Sequence, residues 1–440
     1  MRRKLADAIV RCETLHDILI ATCIVPENRE MGLVGSMAAR EEWARGWPLV
    51  LASVFGILLS AVFAGGLSTA LTAIQQQTGW SRATITAGPM VAAAIPLFMG
   101  PLPGIVIDRV GPRAILRIAI PAYAAAVASL GLGGSSLVLW FSSWAVIGIL
   151  SPFANPVIWT VVLSRVFDAS RGSAFAVGMC GVGLAHFITP LISISMLERF
   201  GWQAVFPAIG LAGLVMAYPL ALVVLGRHAS AGKVAASDAD LPGMEVREIF
   251  ASFRFWAIAV MVVLQYGALG TLFVHLQPLY LKAGIDAVAA AKYASTMGLS
   301  LIVGRLFGGY LVDRLPARRV AAAICILPVI ACILLLGVAG SPTIALVSPL
   351  LIGFAMGSEG DIIAYMAAKY FGPRHFGSAI SVYIAIYTVG FAFAPVVGSI
   401  VYDALGSYDR VLIWIAISLV AAALLALSIG RPPAFRLQQA

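Results

Sequence analysis

Apolar residues run in long blocks along this chain, separated by short polar segments at a nearly even spacing. Each block is about 20 residues long, the length a helix needs to cross the hydrocarbon core of a bilayer. Twelve blocks are read as spans: 47–72, 84–106, 116–134, 137–163, 173–195 and 204–225, then 255–276, 293–312, 320–339, 343–367, 377–401 and 411–429. Backbone groups in lipid must bond within their own segment, so these blocks predict helices. The expected fold class is all-α integral membrane.

The blocks divide the chain into parts. Residues 1–46 read as a cytoplasmic tail, with Met31 and Met37 as alternative starts. The apolar run 18–25 is too short to span, and Asp17 before it argues against a signal peptide. Residues 47–225 form a first six-helix bundle and 255–429 a second. The polar stretch 226–254 reads as the cytoplasmic linker between them, and 430–440 as a second cytoplasmic tail.

Composition agrees with this pattern. The chain is 61% apolar and 11% charged, with a mean hydropathy of +0.96. Soluble chains are about 45–50% apolar and about 25% charged. A soluble enzyme, a disordered protein and a secreted disulfide scaffold are excluded. The net charge of +9 comes from 29 basic and 20 acidic residues. No basic tract interleaved with aromatics points to nucleic acid. Sixteen Lys and Arg fall in loops on the side of the C-terminus and five in the opposite loops. That asymmetry places both termini in the cytoplasm. The five cysteines form no CxxC pair and read as reduced packing residues.

The two halves match at a constant offset of 205 residues. Gly79 pairs with Gly284, Pro190 with Pro395, and Gly201 with Gly406. Each of Gly79 and Gly284 precedes a helix cap, Ser81 or Asp286. Gly104, Asp108, Arg109 and Arg113 pair with Gly309, Asp313, Arg314 and Arg318. The halves therefore share one topology, and such repeats place a substrate site between them near the bilayer midplane.

The loop reads Gly104-Ile-Val-Ile-Asp108-Arg109-Val-Gly111-Pro-Arg113 in the first copy. The second reads Gly309-Tyr-Leu-Val-Asp313-Arg314-Leu-Pro316-Ala-Arg318. This resembles the G-x-x-x-D-R-x-G-x-R signature of the major facilitator superfamily, with Pro316 as the one departure in the second copy. The resemblance implies two six-helix pseudo-symmetric bundles. It also implies that this loop is a cytoplasmic gate rather than the substrate site. Gly79-Trp80-Ser81-Arg82, Phe255-Trp256, His275-Leu-Gln277-Pro278, Gly304-Arg305 and Glu359-Gly-Asp361 are similar to the bacterial monocarboxylate-transporter-like branch, which includes oxalate/formate exchangers. Eukaryotic members carry an Asp four residues before the helix-eight Arg, and Leu301 stands there in this chain.

Ionisable residues within spans are expensive and mark functional positions. Arg305, Glu359 and Asp361 all fall near mid-span. Their repeat counterparts are uncharged: Gly100 for Arg305, and Asn155 for Glu359 at an offset of 204. Arg305 can clamp a substrate carboxylate, because a guanidinium is always charged and binds carboxylates in bidentate fashion. Glu359 or Asp361 can then take up a coupling proton, since a carboxyl group out of water favours its neutral form. The two acids lie about 200° apart around their helix, so they face different surroundings. A structural Arg305–Glu359 pair is the competing reading. His186 is open to two readings, a proton relay and a packing histidine. Asn155, Gln265, Tyr266, Tyr383 and Tyr387 are candidate cavity-lining groups. Trp80, Trp140, Trp202 and Trp256, at span ends, read as interfacial anchors.

No HExxH, GxSxG or P-loop pattern occurs, so no enzyme, cofactor or metal is expected. The expected function is secondary transport of a small organic anion, a carboxylate, linked to protons and working by alternating access as a monomer in the bacterial inner membrane. Export of drugs, carriage of another nutrient, and a non-transporting sensor are the alternatives.

Overall fold

The structure is a computed structural model. It describes residues 29–99, 106, 109–134, 136–154, 156–163, 166–167, 170–227, 244–339, 341–372 and 376–433. Fourteen α-helices carry these residues. They are α1 (Arg29–Thr78), α2 (Arg82–Met99), α3 (Pro112–Ser129), α4 (Leu137–Ala154), α5 (Pro156–Leu163), α6 (Arg171–Phe200) and α7 (Trp202–Arg227). They continue as α8 (Val246–Ala251), α9 (Phe253–Lys282), α10 (Ala287–Arg314), α11 (Ala317–Leu335), α12 (Pro342–Phe371), α13 (Phe376–Leu405) and α14 (Tyr408–Ser428). Among the described residues, 12 helices are long and apolar enough to cross a membrane; α5 and α8 are not among them.

The repeat is visible in the turns. Gly79 and Gly284 adopt φ of 74° and 83°, and Gly201 and Gly406 adopt 79° and 66°. Only glycine takes this left-handed backbone freely, so each equivalent glycine ends a helix at the equivalent place. The caps follow. Ser81 Oγ accepts from the Thr84 N–H at 3.1 Å, and Asp286 Oδ2 accepts from the Val288 and Ala289 N–H groups at 3.0 and 3.2 Å. The departure at Pro316 is also explained. Gly111 enters α3 with φ 85°, which proline cannot adopt. Pro316 enters α11 with φ −56°, so the second copy of the loop is built with a different turn.

Packing repeats as well. Within the first half α1 packs on α6 and α7, and within the second α9 packs on α13 and α14. The halves meet through α6 on α10, α2 on α13, and α1 on α9. Gly183 and Gly298 let α6 and α10 cross closely, each lying against backbone of the other helix.

Two expectations change. The first helix does not begin at residue 47 but runs back to Arg29. Residues just before 47 belong to the first bundle: Glu42 accepts from the Ser170 N–H and hydroxyl at 2.9 and 2.7 Å, and Trp43 packs edge-on against Phe167. Nor are Trp140 and Trp202 interfacial anchors. Both are fully buried, because the ends of α2, α4 and α7 bury a cluster in which Trp140 meets Trp80, Trp144 and Phe206. Trp256 stays exposed and donates to the Phe250 carbonyl at 2.9 Å.

Candidate functional site

Small residues bring α10 and α12 together. Gly304 and Gly308 on one helix, and Gly353 and Gly357 on the other, each lie against backbone of the partner. A Cβ at Gly357 would strike the Leu301 carbonyl and the Arg305 amide. Such small-xxx-small spacing is how helices approach closely in lipid. Hydroxyls fasten the seam: Ser358 donates to the Gly304 carbonyl at 2.8 Å, and Ser300 donates to the Leu350 carbonyl. The seam sets Arg305 opposite the Glu359–Asp361 segment.

Arg305 Nη1 stands 3.9 Å from Asp361 Oδ1, with side chains 12% and 40% exposed. That distance is an ion pair too long to be a hydrogen bond. Arg305 Nε is buried without a partner among the described residues. Beside them Tyr266 of α9 stacks on Tyr387 of α13, rings 4.6 Å apart and 28° inclined. The Tyr266 hydroxyl faces Gly360 and lies near Glu359, Arg305 and Asp361. Cys180, on α6 of the first half, also lies within reach of Arg305 and Asp361. Arg305 precedes the end of α10 by nine residues and Asp361 the end of α12 by ten, which is about 13–15 Å into the span.

Glu359 points elsewhere, as the angular separation of the two acids predicts. It is 2% exposed, neither carboxyl oxygen has a hydrogen-bond partner among the described residues, and it lies near Cys325. Cys325 Sγ donates to Gln265 Oε1 at 3.0 Å, while the Gln265 Nε2 amide has no partner among the described residues. Arg305, Asp361, Tyr266 and Tyr387 thus form an open group. Glu359, Gln265 and Cys325 form a second, more deeply buried one inside the second bundle, which Tyr266 also borders. Among the described residues, Arg305 pairs with Asp361 rather than with Glu359, the partner in the competing reading.

Other candidates fall apart from this group. Tyr383 is fully buried, stacked on Phe255 at 4.9 Å, and donates to its carbonyl at 3.2 Å. It lies one turn nearer the start of α13 than Tyr387, beside the start of α9. It packs rather than lines the group. His186 Nδ1 bonds its own helix at the Val182 carbonyl at 2.6 Å, and its ring meets Phe273. That is the environment of a packing histidine. Asn155, Gly104 and Asp108 lie outside the described residues, as do the surroundings of Gly309 and the side chain of Asp313. Of the remaining loop residues, Arg109 is exposed, Arg314 lies over the Tyr310 ring at 4.3 Å, and Arg113 Nε has no partner among the described residues. Arg318 lies near Tyr370. Cys180 is the site neighbour that the sequence reading passed over. Its nearness to Gly183, where α6 meets α10, is the signal that places it.

Comparison with known proteins gives the setting. Monocarboxylate transporter 12 of Rattus norvegicus is 21% identical over 280 residues, 56% of this chain and 57% of that protein. Probable nitrate/nitrite transporter NarK2 of Mycobacterium tuberculosis is 27% identical over 278 residues, 59% of this chain and 64% of that protein. The matched segments therefore span less than two thirds of either relative. The crystal structure of a D-xylose-proton symporter shares the fold, with a TM-score of 0.68 at 14% identity over 88% of this chain and 98% of that one. The profile of the Major Facilitator Superfamily matches residues 53–360 and 294–439. With twelve spans, a repeated half and relatives that are transporters rather than enzymes, this multi-pass membrane protein belongs to the Major Facilitator Superfamily.

Proposed function

We propose that the chain carries a small organic anion, a carboxylate, across the membrane by alternating access coupled to protons. One observation carries this reading. Arg305 is a mostly buried guanidinium beside the contact between the halves, with an unpartnered Nε and a loose 3.9 Å ion pair to Asp361. A buried cation held this loosely is incompletely compensated, and a carboxylate can complete it through two parallel N–H···O bonds. Tyr266 and Tyr387 then form the aromatic wall beside the bound acid. The relatives named above as monocarboxylate and nitrate/nitrite transporters both have anions in their names, which supports an anionic substrate.

Asp361 and the substrate carboxylate compete for Arg305, so binding releases Asp361. Glu359 is the better candidate for the coupling proton, because a carboxylate left buried and unpaired is costly and proton uptake removes that cost. The basic excess in the loops on the side of the termini supports a cytoplasmic placement of both ends. The chain works as a monomer, with 226–254 as the tether between its bundles.

The test is uptake of a panel of labelled carboxylates into proteoliposomes, with and without a pH gradient. Gradient-stimulated accumulation of one acid, lost in Arg305→Lys, is expected. Unchanged transport of that acid by Arg305→Lys would refute the clamp. Transport of uncharged drugs, with no carboxylate carried, would favour export instead.

A further inference from the structure

Polar contacts between the halves gather at the end of the bundle opposite the termini, around Arg82. This arginine opens α2. A cation at a helix N-terminus opposes the helix dipole, so its position breaks a local rule. It is also only 6% exposed. What compensates it comes largely from the other half. The guanidinium carbon lies 4.1 Å from the Tyr402 ring centroid and 5.5 Å from that of Tyr408. Nη1 donates to the Tyr408 hydroxyl, while Nε donates to Gln75 of its own half at 2.9 Å. The neighbouring Ala83 N–H donates to Asp403 at 3.2 Å.

The chain of bonds continues inward. The Tyr408 hydroxyl, having accepted from Arg82, can donate to His275 Nδ1 at 3.3 Å. His275 Nε2 is 3.1 Å from the Pro395 carbonyl. A proton on Nε2 suits that carbonyl and leaves Nδ1 as the acceptor for Tyr408. One turn deeper, Thr86 and Ser399 hydroxyls bond across the halves at 3.0 Å. The repeat does not require any of this. At the 205-residue offset, Arg82 corresponds to Ala287, Tyr408 to Gln203 and His275 to Ala70.

We propose that Arg82, clasped by Tyr402 and Tyr408 and backed by His275, is the latch that holds the two halves together at the end opposite the termini. Its release sets the rate at which that end opens. The latch acts whatever the substrate, so it stands apart from the carboxylate reading. Arg82 is a positioning residue: it touches no substrate and controls access to the site.

Ser68 reports on the latch, because it is buried beneath it and donates to the Phe273 and Val274 carbonyls across the α1–α9 contact. Ser68→Cys is placed in a chain whose five native cysteines are replaced by alanine. A membrane-impermeant maleimide is then added at the face opposite the termini. Arg82→Ala and Tyr408→Phe should each raise the labelling rate about tenfold, and Arg82→Lys by less, since it keeps the charge over the rings. Ser53→Cys, in the core of the first half, should stay unlabelled in every variant. An unchanged Ser68→Cys rate in Tyr408→Phe overturns the latch. An equal rise at Ser53→Cys also overturns it, because it would show general loosening in place of release.

Discussion

The pair α2–α4 in the first half and the pair α10–α12 in the second are the same element of the repeat, solved in two ways. One contact is common to both: Gly148 lies against Ala92, and Gly353, 205 residues later, lies against Met297. Beyond it the pairs diverge. In the first half Trp144 fills the space, seated on Gly88 and edge-on to Phe63. Its indole N–H has no acceptor among the described residues, nor have those of Trp140, Trp159 and Trp202. In the second half the glycine seam draws the helices closer and leaves room for Arg305 and Asp361. The first half spends its helix contact on apolar bulk and the second on a charged group. Symmetry therefore belongs to the scaffold, while the candidate chemistry occupies one side only.

The comparison can be tested at decreasing scale. Arg305→Ala removes the proposed anchor and should cut carboxylate uptake about a hundredfold, the loss of a charge-assisted bidentate bond of ~3 kcal/mol. Uptake in proteoliposomes measures it. Gly357→Ala forces a Cβ into the tightest part of the seam and should lower stability by about 2 kcal/mol, against ~1 kcal/mol for Gly148→Ala in the equivalent helix. Equal shifts in detergent thermal melts would mean that the second pair is no tighter than the first. Glu359→Gln keeps the shape of the more deeply buried group and removes its proton site. It should abolish accumulation driven by a pH gradient while substrate exchange between equal pH compartments continues. Full accumulation would assign the proton to another group. Smallest of all, Trp144→Phe should cost ~1 kcal/mol or less, because the indole N–H makes no bond and only ring volume is lost. A large loss of transport in that variant would mean that the first half takes part in the chemistry.

Much of this was legible in the chain. The spans stand out because a membrane helix needs a long apolar run, and the turn glycines recur because their backbone needs no side chain. The separation of Glu359 from Asp361 follows from helix geometry alone. What could not be read was depth and neighbours. Tyr383 and Tyr387 are one turn apart and look alike in sequence, yet one meets Phe255 and the other Tyr266. Arg40–Arg45 is too polar to register as part of a span, yet Glu42 and Trp43 are tied to the first bundle. The buried tryptophans misled because their anchoring preference describes isolated helix ends, and here neighbouring helices cover them.

The contacts between the halves have one more implication. Under the repeat α6 becomes α13 and α2 becomes α10, so α6–α10 and α13–α2 are one contact made twice, and α1 meets its own image in α9. This is the layout of an isologous dimer, in which each surface is its own complement. A true dimer of one half would carry two copies of every side chain across its axis, hence either two facing arginines at the site or none. Two like charges there would repel, and a substrate with one carboxylate would have no unique orientation. Joining the protomers in a single chain removes that constraint, so one side of a self-complementary interface can hold Arg305 while its image holds none, and under the proposed function that asymmetry fixes the orientation of a bound carboxylate.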